Sequence, residues 1–255
     1  MPDYMSLYFE WVIFATLVLA PLVFALLFMV KAPYGRHLRT GWGFALGNRL
    51  SWLIMESTAV LVFGGIVLFY AELNVTTIIL FALWQLHYCH RAFLYPLTLR
   101  KANNMPLSIL LMGLGFNASN GYINGWSIVI HADQYTPSWL SSPQFVIGSV
   151  IFIAGMTLNK LSDLQLMRLS RERAGIAHYR IPYGFAYRWV SCPNYLGEII
   201  QWTGWAIATW SLAGVVFAIW TMANLVPRAL THHRWYRDRF SEYPADRRAL
   251  IPFVL

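Results

Sequence analysis

Long apolar runs recur along the chain and are broken by short polar or basic stretches. A helix needs about 20 mostly apolar residues to cross a bilayer. Such runs fall near residues 8–30, 47–70, 75–97, 107–131 and 144–167, and the stretch 195–228 has room for two more. That last stretch contains GEIIQWTGWAIATWSLAGVVFAIWTMANLV. It reads either as one bent pass or as two short ones joined by a turn at Ser211–Gly214.

The basic residues choose between these counts. All 19 Lys and Arg lie at 31–49, 91–101, 160–188 or 228–248, and none lies at 1–30, 71–76 or 132–143. Cytoplasmic loops of membrane proteins carry the excess of Lys and Arg. Seven passes with the N-terminus outside put every basic cluster on one side, whereas six would put the last cluster on the wrong side. The pattern therefore predicts an all-α integral membrane protein. It is a seven-transmembrane helix bundle with a lumenal or outside N-terminus and a cytoplasmic C-terminus. Residues 1–10 hold Asp3 and Glu10 but no Lys or Arg, whereas Lys31, Arg36 and Arg39 follow the first run. That order predicts a retained helix rather than a cleaved secretory signal. Residues 1–255 read as one domain, with a basic, aromatic cytoplasmic loop over about 168–194 and a cytoplasmic tail over about 229–255.

Composition agrees. Hydrophobic residues make up 58% of the chain and charged ones 12%, against about 25% charged in soluble proteins. The net charge of +8 is accounted for by the cytoplasmic loops, so no nucleic-acid partner is expected. Cys89 and Cys192 suggest no structural disulfide, and no zinc spacing occurs.

Against this background Glu56, in RLSWLIMESTAVLVFGGIVLFY, stands out. An acid at a helix centre costs roughly 2.5–3.5 kcal/mol on insertion scales. One reading is a structural ion pair with a neighbouring helix. The other is a carboxyl that burial keeps protonated, so that it can donate a hydrogen bond. In LWQLHYCHRAFLY, Tyr88, Arg91 and Tyr95 share one helical face. At ~1.5 Å per residue, Glu56 lies ~14 Å and Tyr88 ~10 Å from the cytoplasmic edge of a ~30 Å core. The two meet at similar depth, where together they would polarise a ketone oxygen. His87, Cys89 and His90 nearby, and His232 with His233 in the tail, read as hydrogen-bonded side chains rather than metal ligands.

Two polar pairs repeat one spacing. Asn159 and Asp163 are four apart at the end of the fifth run, as are Asn194 and Glu198 at the start of the sixth. They read either as helix caps and interhelical bonds or as groups for amide, ribose or adenine atoms. Arg168, Arg171, Arg173 and Arg180 would hold phosphates or lipid head groups equally well. The chain has no GxGxxG after a strand, no GxxxxGK[ST], no HExxH and no GxSxG.

The segments LHYCHRAFLYPL, MTLNKLSDLQL, HYRIPYGFAYRWVSCPNYLGEIIQWTGWAIATWSL and HHRWYRDRFSEYPADRRALIPFVL resemble the steroid 5α-reductase family. The resemblance runs from about residue 50 to the end and is weakest over 1–45. It implies NADPH-dependent reduction of the Δ4 double bond of 3-oxosteroids of the testosterone or progesterone type. Hydride goes to C5 and a proton to C4. The resemblance makes Glu56 and Tyr88 catalytic, hydrogen-bonded to the C3 ketone, and adds Trp52 to the steroid pocket. It assigns Arg91, Asn159, Asp163, Arg171, Tyr179, Arg180, Asn194, Glu198, His232 and Tyr236 to the cofactor, with the 168–194 loop beside it. Residues 164–178 are two longer than the family pattern, so Arg168 or Arg173 could replace Arg171. Met55 stands where the family has glutamine, which leaves the substrate preference open. No metal is implied.

The expected partners are a steroid or related lipid and the bilayer, and the protein is expected to be a monomer. The membrane would be endoplasmic reticulum in a eukaryote and the inner membrane in a bacterium. Rival readings are a reductase of another conjugated lipid (enoyl-CoA or polyprenol type), an S-adenosylmethionine-dependent membrane methyltransferase, and a non-catalytic lipid transporter. The methyltransferase has no obvious use for Glu56 beside Tyr88.

Overall fold

The computed structural model describes residues 3–30, 41–98, 104–171 and 180–255. Its helices are α1 (Asp3–Met29), α2 (Asn48–Tyr70), α3 (Val75–Cys89), α4 (Tyr95–Thr98), α5 (Leu107–Ile130), α6 (Pro143–Arg171), α7 (Pro193–Thr209) and α8 (Leu212–Arg239). A π-helix, His90–Leu94, joins α3 to α4 without a break. Among the described residues, four stretches are long and apolar enough to cross a membrane: Leu7–Met29, Asn48–Tyr70, Pro143–Leu169 and Leu212–Arg239. On α2, Leu61 and Phe69 expose 71% and 84% of their surface. Apolar side chains on the outside and polar ones within suit a hydrocarbon solvent, and the chain is an all-helical membrane protein.

Several boundaries differ from the sequence pattern. The last apolar stretch is two helices rather than one bent pass. Its turn falls before Ser211: Trp210 takes a left-handed backbone (φ 47°, ψ 41°) after α7, and Gly214 lies inside α8. α6 continues through Arg171, so residues 168–171 of the expected loop are helical. α8 continues to Arg239, so the expected tail begins as helix. A short two-stranded ribbon accompanies the helices. Strands Ala45–Gly47 and Asn104–Pro106 pair antiparallel, with Leu46 opposite Met105.

The chain forms two compact units. The first holds Met1–Thr16, Ala32–Val146 and Ser211–Ala213, and the second holds Leu17–Lys31, Ile147–Trp210 and Gly214–Leu255. In the first, the Phe63 ring of α2 stacks on Trp84 of α3 at 4.4 Å. Trp84 Nε1 donates to the Ala59 carbonyl at 3.3 Å, and Gln85 Nε2 donates to the Val60 carbonyl at 3.1 Å. Such bonds tie helices where lipid gives no hydrophobic drive for them to associate. Asn74 opens α3 with a capping box shared with Thr77, and its Nδ2 donates to the Tyr135 carbonyl at 3.0 Å.

The second unit is built on α6 against α7. Gly148 and Gly155 are seven apart on α6, as are Gly197 and Gly204 on α7. A Cβ at Gly155 would stand 2.3 Å from the Gln201 nitrogen, and one at Gly197 would stand 2.4 Å from the Asn159 nitrogen. Only glycine permits this backbone approach. The chain end joins the same unit: Ser191 N donates to the Arg248 carbonyl at 2.8 Å and Cys192 N to the Ala249 carbonyl at 3.2 Å.

Candidate active site

The first unit carries the carboxylate and the tyrosine. Glu56, on α2, is buried. Arg91 Nη2 approaches Glu56 Oε1 at 3.8 Å, with only 14% and 7% of the two side chains exposed. The Arg91 guanidinium also lies over the Trp52 ring at 5.0 Å and the Tyr95 ring at 5.1 Å. Trp52 and Tyr95 meet edge to face at 5.3 Å. A buried acid thus gains a cation, and the cation gains two aromatic faces. Arg91 lies in the wide π-turn. Proline at 96 cannot donate an N–H and crowds the carbonyl four residues earlier. The chain responds with a longer bond, Tyr95 N–H to the His90 carbonyl, a distortion often found at functional sites.

Tyr88 is buried one turn before Arg91. Asn120 Nδ2 donates to Tyr88 Oη at 3.1 Å. One turn earlier on α5, Asn117 Nδ2 donates to the Met55 carbonyl at 2.7 Å. Two donors three residues apart on one helix differ in height by ~4.5 Å. They tie the backbone before Glu56 and the Tyr88 hydroxyl to α5 about one turn apart. The expected shared face divides: Arg91 and Tyr95 meet Trp52 on α2, while Tyr88 takes a donor from α5. The Met55 side chain lies over Gly113, where an added Cβ would stand 2.3 Å from its sulfur. α5 therefore leaves room for the methionine.

The second unit carries the other polar set. Asn159 Nδ2 donates to the Asn194 carbonyl at 3.0 Å, and Asn194 Nδ2 donates to Asp163 Oδ1 at 3.0 Å. Asn159 Oδ1 is buried and makes no hydrogen bond. A buried acceptor left open is costly and suits a ligand that brings a donor. Glu198 stands half-buried one turn after Asn194. The His232 ring nitrogen Nε2 pairs with the Tyr195 hydroxyl at 3.2 Å. Tyr236 is buried and stacks on Tyr243 at 5.4 Å and 11°. Arg180 is exposed. Arg171 ends α6, and its side chain is outside the described residues, as is the whole of Tyr179. Trp52, Glu56 and Arg91 thus gather in the first unit with Tyr88 on the adjoining turn. Asn159, Asp163 and Asn194 gather in the second.

Three features escaped the sequence reading. The first is the Asn117–Asn120–Asn124 stripe, legible as polar residues three and four apart in an apolar run. The second is the pair of seven-residue glycine spacings. The third had no local signal, because it joins distant segments: Ser191 Oγ meets His233 Nδ1 at 2.7 Å and Tyr243 Oη at 2.6 Å. Burial pushes the Tyr243 phenol above its ordinary value, so it stays neutral there. Among the described residues, no three His, Cys, Asp or Glu side chains cluster as a metal site requires.

Charged and polar side chains buried within apolar membrane helices are rare and mark functional sites. Residues 103–255 match the family model described as 3-oxo-5-alpha-steroid 4-dehydrogenase, and the chain belongs to that family. It is 40% identical to the steroid 5-alpha-reductase DET2 of Arabidopsis thaliana over 260 residues, covering 97% of each chain. It is 35% identical to the 3-oxo-5-alpha-steroid 4-dehydrogenase 1 of Bos taurus over 237 residues, 91% of each chain. With the Homo sapiens protein of that name the identity is 34% over 240 residues, 91% of this chain and 90% of the relative.

Proposed function

We propose that the protein reduces the Δ4 double bond of 3-oxosteroids to 5α-dihydrosteroids, with NADPH as reductant. The observation that carries the reading is the buried Glu56, tied to Arg91 one turn from Tyr88 inside an apolar helix pair. A ketone conjugated to the double bond is the substrate group that such donors serve best. NADPH supplies hydride for C5 when bound. As hydride arrives, negative charge moves to the C3 oxygen, and donors aimed at that oxygen lower the barrier. Tyr88 donates its hydroxyl hydrogen there. Glu56 donates from a carboxyl oxygen when it carries a proton. Arg91 Nη2 stands 3.8 Å from its Oε1. The proton added at C4 balances the reaction. Trp52, on the turn before Glu56, offers a flat apolar face to the steroid rings.

The second unit supplies groups fit for a dinucleotide. The open Asn159 Oδ1 accepts from a hydroxyl or amide, and the carboxylates of Asp163 and Glu198 accept from ribose hydroxyls. His232, Tyr236 and Arg180 would complete that set, with Arg171 and Tyr179, and Arg91 is a further proposed cofactor residue. Both units would serve one reductase domain, residues 1–255, monomeric in the membrane. Seven passes are supported by the seven long helical stretches: α1, α2, the continuous run Val75–Thr98, α5, α6, α7 and α8. The arginine and lysine pattern supports an outside N-terminus and a cytoplasmic C-terminus. The membrane would be that of the endoplasmic reticulum, or the inner membrane of a bacterium.

The test is NADPH oxidation by the detergent-solubilised protein with testosterone or progesterone, with the product read by mass spectrometry. The expected product is two hydrogens heavier, with 5α stereochemistry. An unchanged steroid with NADPH still bound would move the substrate to another conjugated lipid.

A further inference from the structure

Resting on that reading of Tyr88, we propose that Asn120 and Asn124 are positioning residues that turn the Tyr88 hydroxyl into a one-way donor toward the ketone. Asn124 Nδ2 lies 2.9 Å from Asn120 Oδ1 and 3.1 Å from the Asn120 backbone carbonyl. A backbone carbonyl only accepts. The Asn124 amide must therefore present its NH2 to Asn120, and Asn120 must receive it on Oδ1. That leaves Asn120 Nδ2 facing Tyr88 Oη at 3.1 Å. Reversing the chain would set Asn124 Oδ1 against the backbone oxygen, acceptor against acceptor. The sense of the relay is thus fixed at its far end, by α5's own backbone.

The consequence falls on Tyr88. Its oxygen takes a hydrogen from Asn120, so its own hydrogen points to a different acceptor. As the ketone oxygen draws on that hydrogen, negative charge grows on the phenolic oxygen. The Asn120 N–H, polarised by Asn124, stabilises that charge. All three side chains are buried: Tyr88 is 4% exposed, Asn120 3% and Asn124 2%. Gly121 and Gly125 follow the two asparagines, and a Cβ at either would stand 3.2 Å from α2 atoms. The same turns that hold the relay are therefore seated on the helix that carries Glu56.

A merely structural stripe would join the helices whatever residue 88 carried. The test is a double-mutant cycle on the full-length protein in detergent, reading testosterone reduction. Asn120→Ala is expected to lower kcat about 10- to 100-fold with KM little changed. Asn120→Asp, which accepts where asparagine donates, is expected to lose at least as much. Asn124→Ala is expected to lose about 3- to 10-fold, since it acts through Asn120. In a Tyr88→Phe protein, adding Asn120→Ala is expected to change kcat by less than about twofold. Losses that multiply in the double variant, or an Asn120→Ala protein within twofold of wild type, overturn the proposal. A second readout needs no turnover. With 3-fluorotyrosine at position 88, the fluorine resonance is expected to move on Asn120→Ala, and an unmoved line overturns the donation. A wild type inert toward Δ4-3-oxosteroids would count against the proposed function, and the fluorine shift would then decide the Asn120 bond by itself.

Discussion

The two units both join helices through glycine, but not in the same way. In the first, Gly121 and Gly125 seat α5 on α2 with a Cβ-sized gap nearly left over: the nearest atoms, the Phe63 backbone nitrogen and the side chains of Val62 and Ile66, would be 3.2 Å away. In the second, a Cβ at Gly148, Gly155, Gly197 or Gly204 would meet backbone nitrogen at 2.2–2.4 Å. A contact at 3.2 Å needs a shift of only a few tenths of an ångström, whereas one at 2.2–2.4 Å to backbone would force two helices apart. The first contact is therefore adjustable, and its specificity comes from asparagine bonds to Met55 and Tyr88. The second is rigid, and its polar groups are placed by the backbone approach itself. Gly197 packs on the Asn159 nitrogen, one turn after Asn194. The glycine seam thus presses together the residues that the reductase reading gives to the cofactor.

The largest effect is expected at that seam. Gly155→Leu or Gly197→Leu should abolish folded yield. Even Gly155→Ala should cost about 3 kcal/mol or more, the upper end for overpacking, read as melting temperature in detergent. An Ala variant with wild-type melting would break the contrast between the units. Next comes chemistry in the first unit. Tyr88→Phe and Glu56→Leu should stay folded and still bind NADPH, but lose about 100-fold or more in kcat, as when one oxyanion donor is removed. Both Glu56→Leu and Glu56→Gln leave Arg91 buried without an acid, but glutamine keeps an amide donor and should lose less kcat than leucine. Loss of folding in both Tyr88→Phe and Glu56→Leu would favour the structural ion-pair reading. Asn159→Ala should weaken NADPH binding about tenfold, the effect of one buried hydrogen bond, with kcat at saturating cofactor little changed. The smallest effect is expected at the adjustable contact. Gly121→Ala should cost about 1 kcal/mol, the lower end of overpacking. Gly65, whose added Cβ meets nothing within 4 Å, should gain up to about 1 kcal/mol on Gly65→Ala.

Much of this was legible in the chain because membrane helices announce themselves. Apolar length gave the helices, and Glu56 was conspicuous because an acid within such a run needs a partner. The Asn159–Asp163 and Asn194–Glu198 spacings were legible as faces, and Asn159, Asp163 and Asn194 do meet. What the pattern left out has physical reasons. Helix ends at Arg171 and Arg239 continue past the apolar stretch, because a helix does not stop where hydropathy does. The π-turn at Arg91 depends on how the chain relieves Pro96. The turn expected over Ser211–Gly214 falls earlier, at the left-handed Trp210. The Ser191–His233–Tyr243 network joins residues 42 and 52 positions apart, beyond any local signal.

The central claim is that the C3 ketone is held by Glu56 and Tyr88 while hydride reaches C5. Its most direct test supplies NADPH carrying deuterium at the transferable position and locates the label in the steroid product by NMR. The account predicts deuterium at C5 on the 5α face for wild type, and about 100-fold slower labelling for Tyr88→Phe at full NADPH occupancy. Label at any other carbon, or equal rates in wild type and Tyr88→Phe, would contradict it.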